Sequence, residues 1–185
     1  SVSGRPNLHV PARMGVVTSS RFRQSSLKPE DVAKLQQQGI TSVIPVNGYI
    51  DQSKCYSMPD LMYQRAQIIK NTKFLNLDLI LLCDENSDED TSNHLPILQP
   101  LSLGIINPAT KSTQVQVDAA LMDARTGYIY GALGGNSKSN THSLTFIEAE
   151  AFSDAGKNRA SRDAKKQLAE KFPTFWDSVK RRHGK

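Results

Sequence analysis

The apolar positions of the first half fall into short runs separated by helix-spaced stretches. Arg13–Thr18 reads Arg-Met-Gly-Val-Val-Thr, an interior strand. Ser19–Lys28 is a polar linker. Pro29, Glu30 and Asp31 then open a helix, because proline suits a first turn and acids suit the positive end of the helix dipole. Val32 and Leu35 give its packed side, and Gly39 ends it. Ile40–Val46 is the next strand, with Pro45 at its far end, where a missing donor costs least. Asn47–Tyr56 is a loop. Ser57 with Asp60 forms a capping box for a second helix, carried by Leu61, Met62, Ile68 and Ile69 to about Lys73. Asn76–Cys83 ends in a continuous apolar run, the mark of a central strand covered on both faces. The order β-α-β-α-β predicts a small parallel sheet.

The second half has a different rhythm. Asp84–Asn93 is acidic and reads as a loop, and Leu95–Ile106 is irregular before a strand over Leu101–Ile106. Asn107–Lys111 reads as a turn. Gln114–Met122 starts with alternation, Val115 and Val117 against Gln114 and Gln116, as in a half-buried strand. Asp123–Gly127 is a turn and Tyr128–Leu133 the return strand of an antiparallel hairpin. Gly134–Ser143 reads as a loop. Thr145 with Glu148 then caps a long helix whose row runs through Ala160, Ala164, Leu168, Phe172, Phe175 and Val179. Pro173 should end or kink it. The expected fold is α/β or α+β: a small mixed sheet, β-α-β-α-β first, then antiparallel strands and a long C-terminal helix. Residues 1–12 read as a flexible arm, 13–179 as one domain and 180–185 as a basic tail.

A chain of 185 residues can bury a core without staples. Its net charge of +5 is modest. The excess lies from Lys165 onward, in Lys165, Lys166, Lys171, Lys180, Arg181, Arg182 and Lys185 against Glu170 and Asp177. A nucleic-acid binder needs a broader basic face, so that reading ranks third and rests on the C-terminus alone. Asn158, Arg159, Arg162, Lys165 and Lys166 form a solvated helix side, to which RNA or lipid headgroups are conceivable partners. No stretch approaches the roughly 18–20 apolar residues of a membrane span.

Most candidate chemistry dissolves on inspection. Gly131-x-x-Gly134-Gly135 lacks the helix start and the Lys-Ser/Thr of a phosphate loop. The acidic run Asp84–Asp90 lacks the spacing and glycine of a calcium loop. His94, His142 and Ser143 sit in no nucleophile motif. No catalytic residue, metal ligand or cofactor is therefore assigned. Cys83, in an apolar run, reads as a buried inert thiol, and Cys55 lies in a loop. An oxidising compartment would allow the two to pair.

Ligands of parallel sheets sit outside the carboxyl ends of the strands. That rule picks out Asn47, Tyr49, Tyr56, Asp84 and Glu85 as candidate ligand contacts. Phe172, Phe175 and Trp176 either close the core or, with Arg181 and Arg182, face a partner or a second copy.

Three stretches carry a family resemblance. They are Asp78 with Leu79–Leu82, Asp123 with Thr126-Gly127, and Ala151, Ala155, Ala160 and Ala164 on the last helix. Together they resemble the rhombotail lipoprotein group of bacterial envelope proteins. They are also similar to the periplasmic domains of curli-secretion-channel-like lipoproteins. The resemblance implies a periplasmic or outer-membrane-anchored protein that works through protein contacts or self-association. Its only membrane link would be a lipid anchor absent from this chain. The residues themselves leave a cytoplasmic location open. The expected function is a non-enzymatic interaction or assembly protein. The alternative is a nucleotide- or small-ligand-binding module with a pocket at the strand ends.

Overall fold

The computed structural model describes residues 8–22, 29–93, 109–143 and 146–184. β1 (Ala12–Thr18), α1 (Pro29–Gln37), β2 (Ile40–Pro45), α2 (Met58–Tyr63), α3 (Arg65–Thr72) and β3 (Leu79–Asn93) follow in order. β4 (Ala109–Asp123), β5 (Ile129–Ser143) and α4 (Phe146–His183) complete the chain. The five strands form one mixed sheet in the order β2-β1-β3-β4-β5. β1 pairs in parallel with both β2 and β3. β4 and β5 are antiparallel, as so short a connection demands.

Local chemistry explains the first elements. Gly39 closes α1 at φ +88°, a conformation that suits glycine. The Ser57 N–H and Oγ both donate to the Asp60 carboxylate at the start of α2. Asp78, just before β3, accepts the Arg13 N–H at its carboxylate and the Ala124 N–H at its carbonyl. It thus ties β1 and the β4–β5 turn to one residue.

Cα packing divides the chain into two compact units, within a span expected as one domain. The first holds residues 1–85, 118–134 and 168–185. Strand alternation in this unit splits its core between two sheet faces. Met14, Leu79, Leu81, Cys83, Ala119, Leu121 and Tyr130 share one face with Leu35 of α1 and Phe172, Trp176 and Val179 of α4. Val17, Ile80, Leu82, Ala120 and Met122 share the other with Leu61 of α2 and Ile68 of α3. The second unit holds 86–117 and 135–167. There, buried Val115 and Val117 alternate with exposed Gln114 and Gln116, and Ala160, Ser161 and Ala164 are the buried side of the helix.

Several expectations need correction. The acidic run expected as a loop is the continuation of β3 to Asn93, and β5 runs on through Gly134–Ser143. Polar residues are depleted in strands, but a neighbouring strand overrides that preference. Of the expected turn at Asn107–Lys111, residues 109–111 belong to β4; the rest, with the strand expected over Leu101–Ile106, lies outside the described residues. α4 passes through Pro173 without ending. Phe172, Trp176 and Val179 are buried on either side of that proline, and their burial outweighs one lost hydrogen bond. The same helix takes in most of the expected tail and ends at His183. In the expected arm, Leu8 is buried and bridges Gly184.

Candidate functional site

β1 lies between β2 and β3, and the two crossovers run over opposite faces. The carboxyl ends of β1 and β3 therefore border the switch point of the sheet. Ser19 and Arg21 follow β1, and Asp84 stands in β3 beyond its apolar run. Asp84 is only 5% exposed, and its carboxylate is engaged at both oxygens. Oδ1 accepts from Ser19 Oγ at 2.6 Å. Oδ2 accepts from Arg21 Nη2 at 2.7 Å and from the Met58 N–H at 2.9 Å. The Arg21 guanidinium lies 5.0 Å from the centre of the exposed Tyr56 ring.

Asn47 joins the same end of the sheet. Its Oδ1 accepts the Thr18 N–H at 2.9 Å, and its Nδ2 donates to Thr18 Oγ1. The Ser19 N–H donates to the Cys83 carbonyl and the Ser20 N–H to the Cys55 carbonyl. Asp84 thus binds the exit of β1, the start of α2 and its own strand together. A general base must offer a lone pair to a substrate proton. Asp84 offers its lone pairs to protein donors, so the chemistry is that of a lock. Among the described residues, no three His, Cys, Asp or Glu side chains gather to hold a metal ion.

Of the five residues picked out for a ligand, Asn47, Tyr56 and Asp84 come together here, and Glu85 is buried next to Asp84. Tyr49 does not join them. Its ring meets Phe74 edge-to-face at 5.2 Å, with the two rings 45% and 63% exposed. Asn71 Nδ2 donates to the Tyr49 carbonyl at 2.9 Å, and Gln67 Nε2 donates to Asn71 Oδ1 at 2.7 Å. Sequence reasoning missed Ser19, Arg21 and Phe74. Arg21 lies within the polar linker, and Phe74 reads as the lead-in to a strand. An arginine three residues past a buried strand was the available sign.

A second buried carboxylate holds the hairpin turn. Asp123 Oδ1 accepts the N–H groups of Arg125 and Thr126, and Oδ2 accepts from the Tyr130 hydroxyl at 3.0 Å. Burial first, then the Asp123 charge, pushes the Tyr130 hydroxyl well above its ordinary value. The His183 ring lies against Tyr128 and Tyr130 at 5.6 and 5.1 Å.

The aromatic residues of α4 resolve toward the core. Phe172 and Trp176 are buried, and Trp176 Nε1 donates to the Gln38 carbonyl at 2.9 Å. Phe175 packs over Gly131, where an added Cβ would come within 2.8 Å of its ring. Phe172 and Trp176 are thus closed to solvent and Phe175 is half-buried, while Arg181 and Arg182 are exposed. Cys55 and Cys83 are both buried with free thiols. They belong to opposite faces of the sheet: Cys83 packs with Leu79 and Leu81, Cys55 with Ile80 and Leu82. The pairing that an oxidising compartment would allow is not made in this structure. Among the described residues, no helix is long and apolar enough to cross a membrane.

No family model matches the chain, and no curated protein does. Among solved structures it is similar to lipoprotein GNA1162 from Neisseria meningitidis, with a TM-score of 0.42, 17% identity, and 80% of this chain and 97% of that one covered. A candidate neuraminyllactose-binding hemagglutinin homolog from Helicobacter pylori gives 0.48 at 11% identity, covering 98% and 96%. The C-terminal domain of LpoB from Salmonella enterica gives 0.30 at 14%, covering 70% and 84%. At these values the likeness carries nothing over to this chain.

Proposed function

We propose that this chain is a non-enzymatic interaction or assembly module of the bacterial envelope, in the manner of the periplasmic domain of a lipoprotein. The observation that carries the interaction reading is the exposed Tyr49–Phe74 pair. Two large rings in water forgo the stabilisation of burial, and exposed aromatics of this kind are enriched where proteins meet. Edge-to-face contact and the Asn71 hydrogen bond hold the pair in place, so little entropy is lost on docking. Tyr63 of α2, 85% exposed, adds a third aromatic in the first unit. The envelope location rests on the resemblance around Asp78, Asp123-Thr126-Gly127 and the alanines of α4. The strand-end alternative, a small-ligand pocket, is less favoured because both oxygens of Asp84 already accept hydrogen bonds from the protein.

The test is a photo-crosslinking residue at position 74 of the full-length protein in a bacterial host. The reading expects one discrete protein adduct in the envelope fraction, lost when Tyr49→Ala is added. An adduct unaffected by Tyr49→Ala, or none at all, refutes the aromatic contact. A protein recovered wholly in the cytosol refutes the envelope location.

A further inference from the structure

We infer that the solvent face of α4 between Lys157 and Lys166 is a docking surface for the anionic headgroups of a lipid bilayer. This ten-residue stretch carries five cations, Lys157, Arg159, Arg162, Lys165 and Lys166, against one acid, Asp163. Helix geometry sorts them. Gly156, Ala160, Ser161 and Ala164 are buried, while Arg159, Arg162 and Lys166 are exposed. The three exposed cations are spaced three and four residues apart, one row about 10 Å long.

Exposed Asp163, four residues from Arg159 and three from Lys166, offsets part of this charge. The three cations with that one acid leave the row a net positive charge, within which Arg159 and Arg162, three residues apart, repel. A row of anions opposite them reverses the sign of that term. Arginine fits the role, since its planar fork matches phosphate in a bidentate contact. Headgroups are favoured over a nucleic acid on two grounds. The stretch 157–166 contains no aromatic residue to stack on a base. Its row is also short, whereas a nucleic-acid footprint is a broad basic face. The only apolar side chains in the stretch are alanines, so the contact is with headgroups and not with hydrocarbon. Binding is then peripheral, reversible and screened by salt. This adds to the envelope reading a membrane contact that needs no lipid anchor.

Lys157, Lys165 and Lys166 also hold contacts within the fold, so the test changes the two arginines. The chain is floated with phosphatidylcholine vesicles, with and without phosphatidylglycerol, at low and high salt. Binding is expected only with phosphatidylglycerol and should fall as salt rises. Arg159→Gln with Arg162→Gln should weaken it about 30-fold, since each basic residue near an anionic leaflet contributes roughly fivefold. An unchanged circular-dichroism melt shows that the variant still folds. Equal binding to phosphatidylcholine alone, or full binding by the folded variant, overturns the inference. So does tighter retention on a polynucleotide than on the anionic vesicles at the same salt. Vesicle flotation is independent of where the protein resides in a cell. Its failure therefore leaves the crosslinking and fractionation outcomes standing, and their failure leaves it standing.

Discussion

The two faces of the sheet in the first compact unit are covered in different ways. One is closed by α1 and the end of α4, with Trp176, Phe172 and Val179 driven into it. The other is covered by the short helices α2 and α3, which bury Leu61 and Ile68. The first face keeps its large α4 aromatics inside. The second layer bears Tyr49, Phe74 and Tyr63 in water. Aromatic content therefore says little about a region's role until burial is known. On one face rings supply cohesion; on the other they are available for contact.

The sharpest way to break this contrast is Trp176→Ala. It removes the largest fully buried side chain and leaves the Gln38 carbonyl without its donor. A loss of about 3–5 kcal/mol in denaturant unfolding is expected. Asp84→Ala opens the lock between strands and α2 instead. It strips Ser19, Arg21 and the Met58 N–H of their acceptor. Arg21 is partly solvated, so about 2 kcal/mol is expected, read by the same unfolding curves. Gly131→Ala forces a Cβ into the Phe175 ring and should cost about 1–2 kcal/mol, with a lower melting temperature.

Acidity sharpens the comparison on the α2–α3 face. Burial, with the Asp51 and Asp60 charges behind it, raises the Cys55 thiol above its ordinary 9.0. The folded chain then holds this proton more tightly than the unfolded chain does. The resulting stability is whole below 9.0 and is lost as pH climbs through the folded-state value. Stability measured against alkaline pH should fall in the parent and fall less in Cys55→Ala, the raised Tyr130 hydroxyl keeping a share of the decline above its ordinary 10.0. The smallest effect is expected at Phe74→Ala. Its ring is exposed, so denaturant unfolding should shift by less than about 0.5 kcal/mol.

The sequence was most readable where its instructions are local. The Ser57–Asp60 box, Gly39 at the end of α1 and Gly127 in the hairpin turn all act within a few residues, and each does so in the structure. The apolar run of β3 was readable because both of its faces are covered. Its extension was not. Residues 84–93 look like solvated loop, and only a neighbouring strand makes them a strand. Pro173 pointed to a helix end that tertiary burial of its neighbours prevents. The lock was half visible. Asn47, Tyr56 and Asp84 follow from the strand-end rule, but Ser19 and Arg21 reach Asp84 across more than sixty positions, and nothing in a linear pattern announces such a pair.

The bridge from Leu8 to Gly184 and the bond from Trp176 to Gln38 have a bearing on biosynthesis. β1 is synthesised well before α4, yet the two share one core. Until the final turns of α4 emerge, Met14, Leu79 and Leu121 lie on a half-dressed surface, sticky to chaperones and to other nascent chains. Premature termination anywhere before Phe172 would leave that surface bare for good.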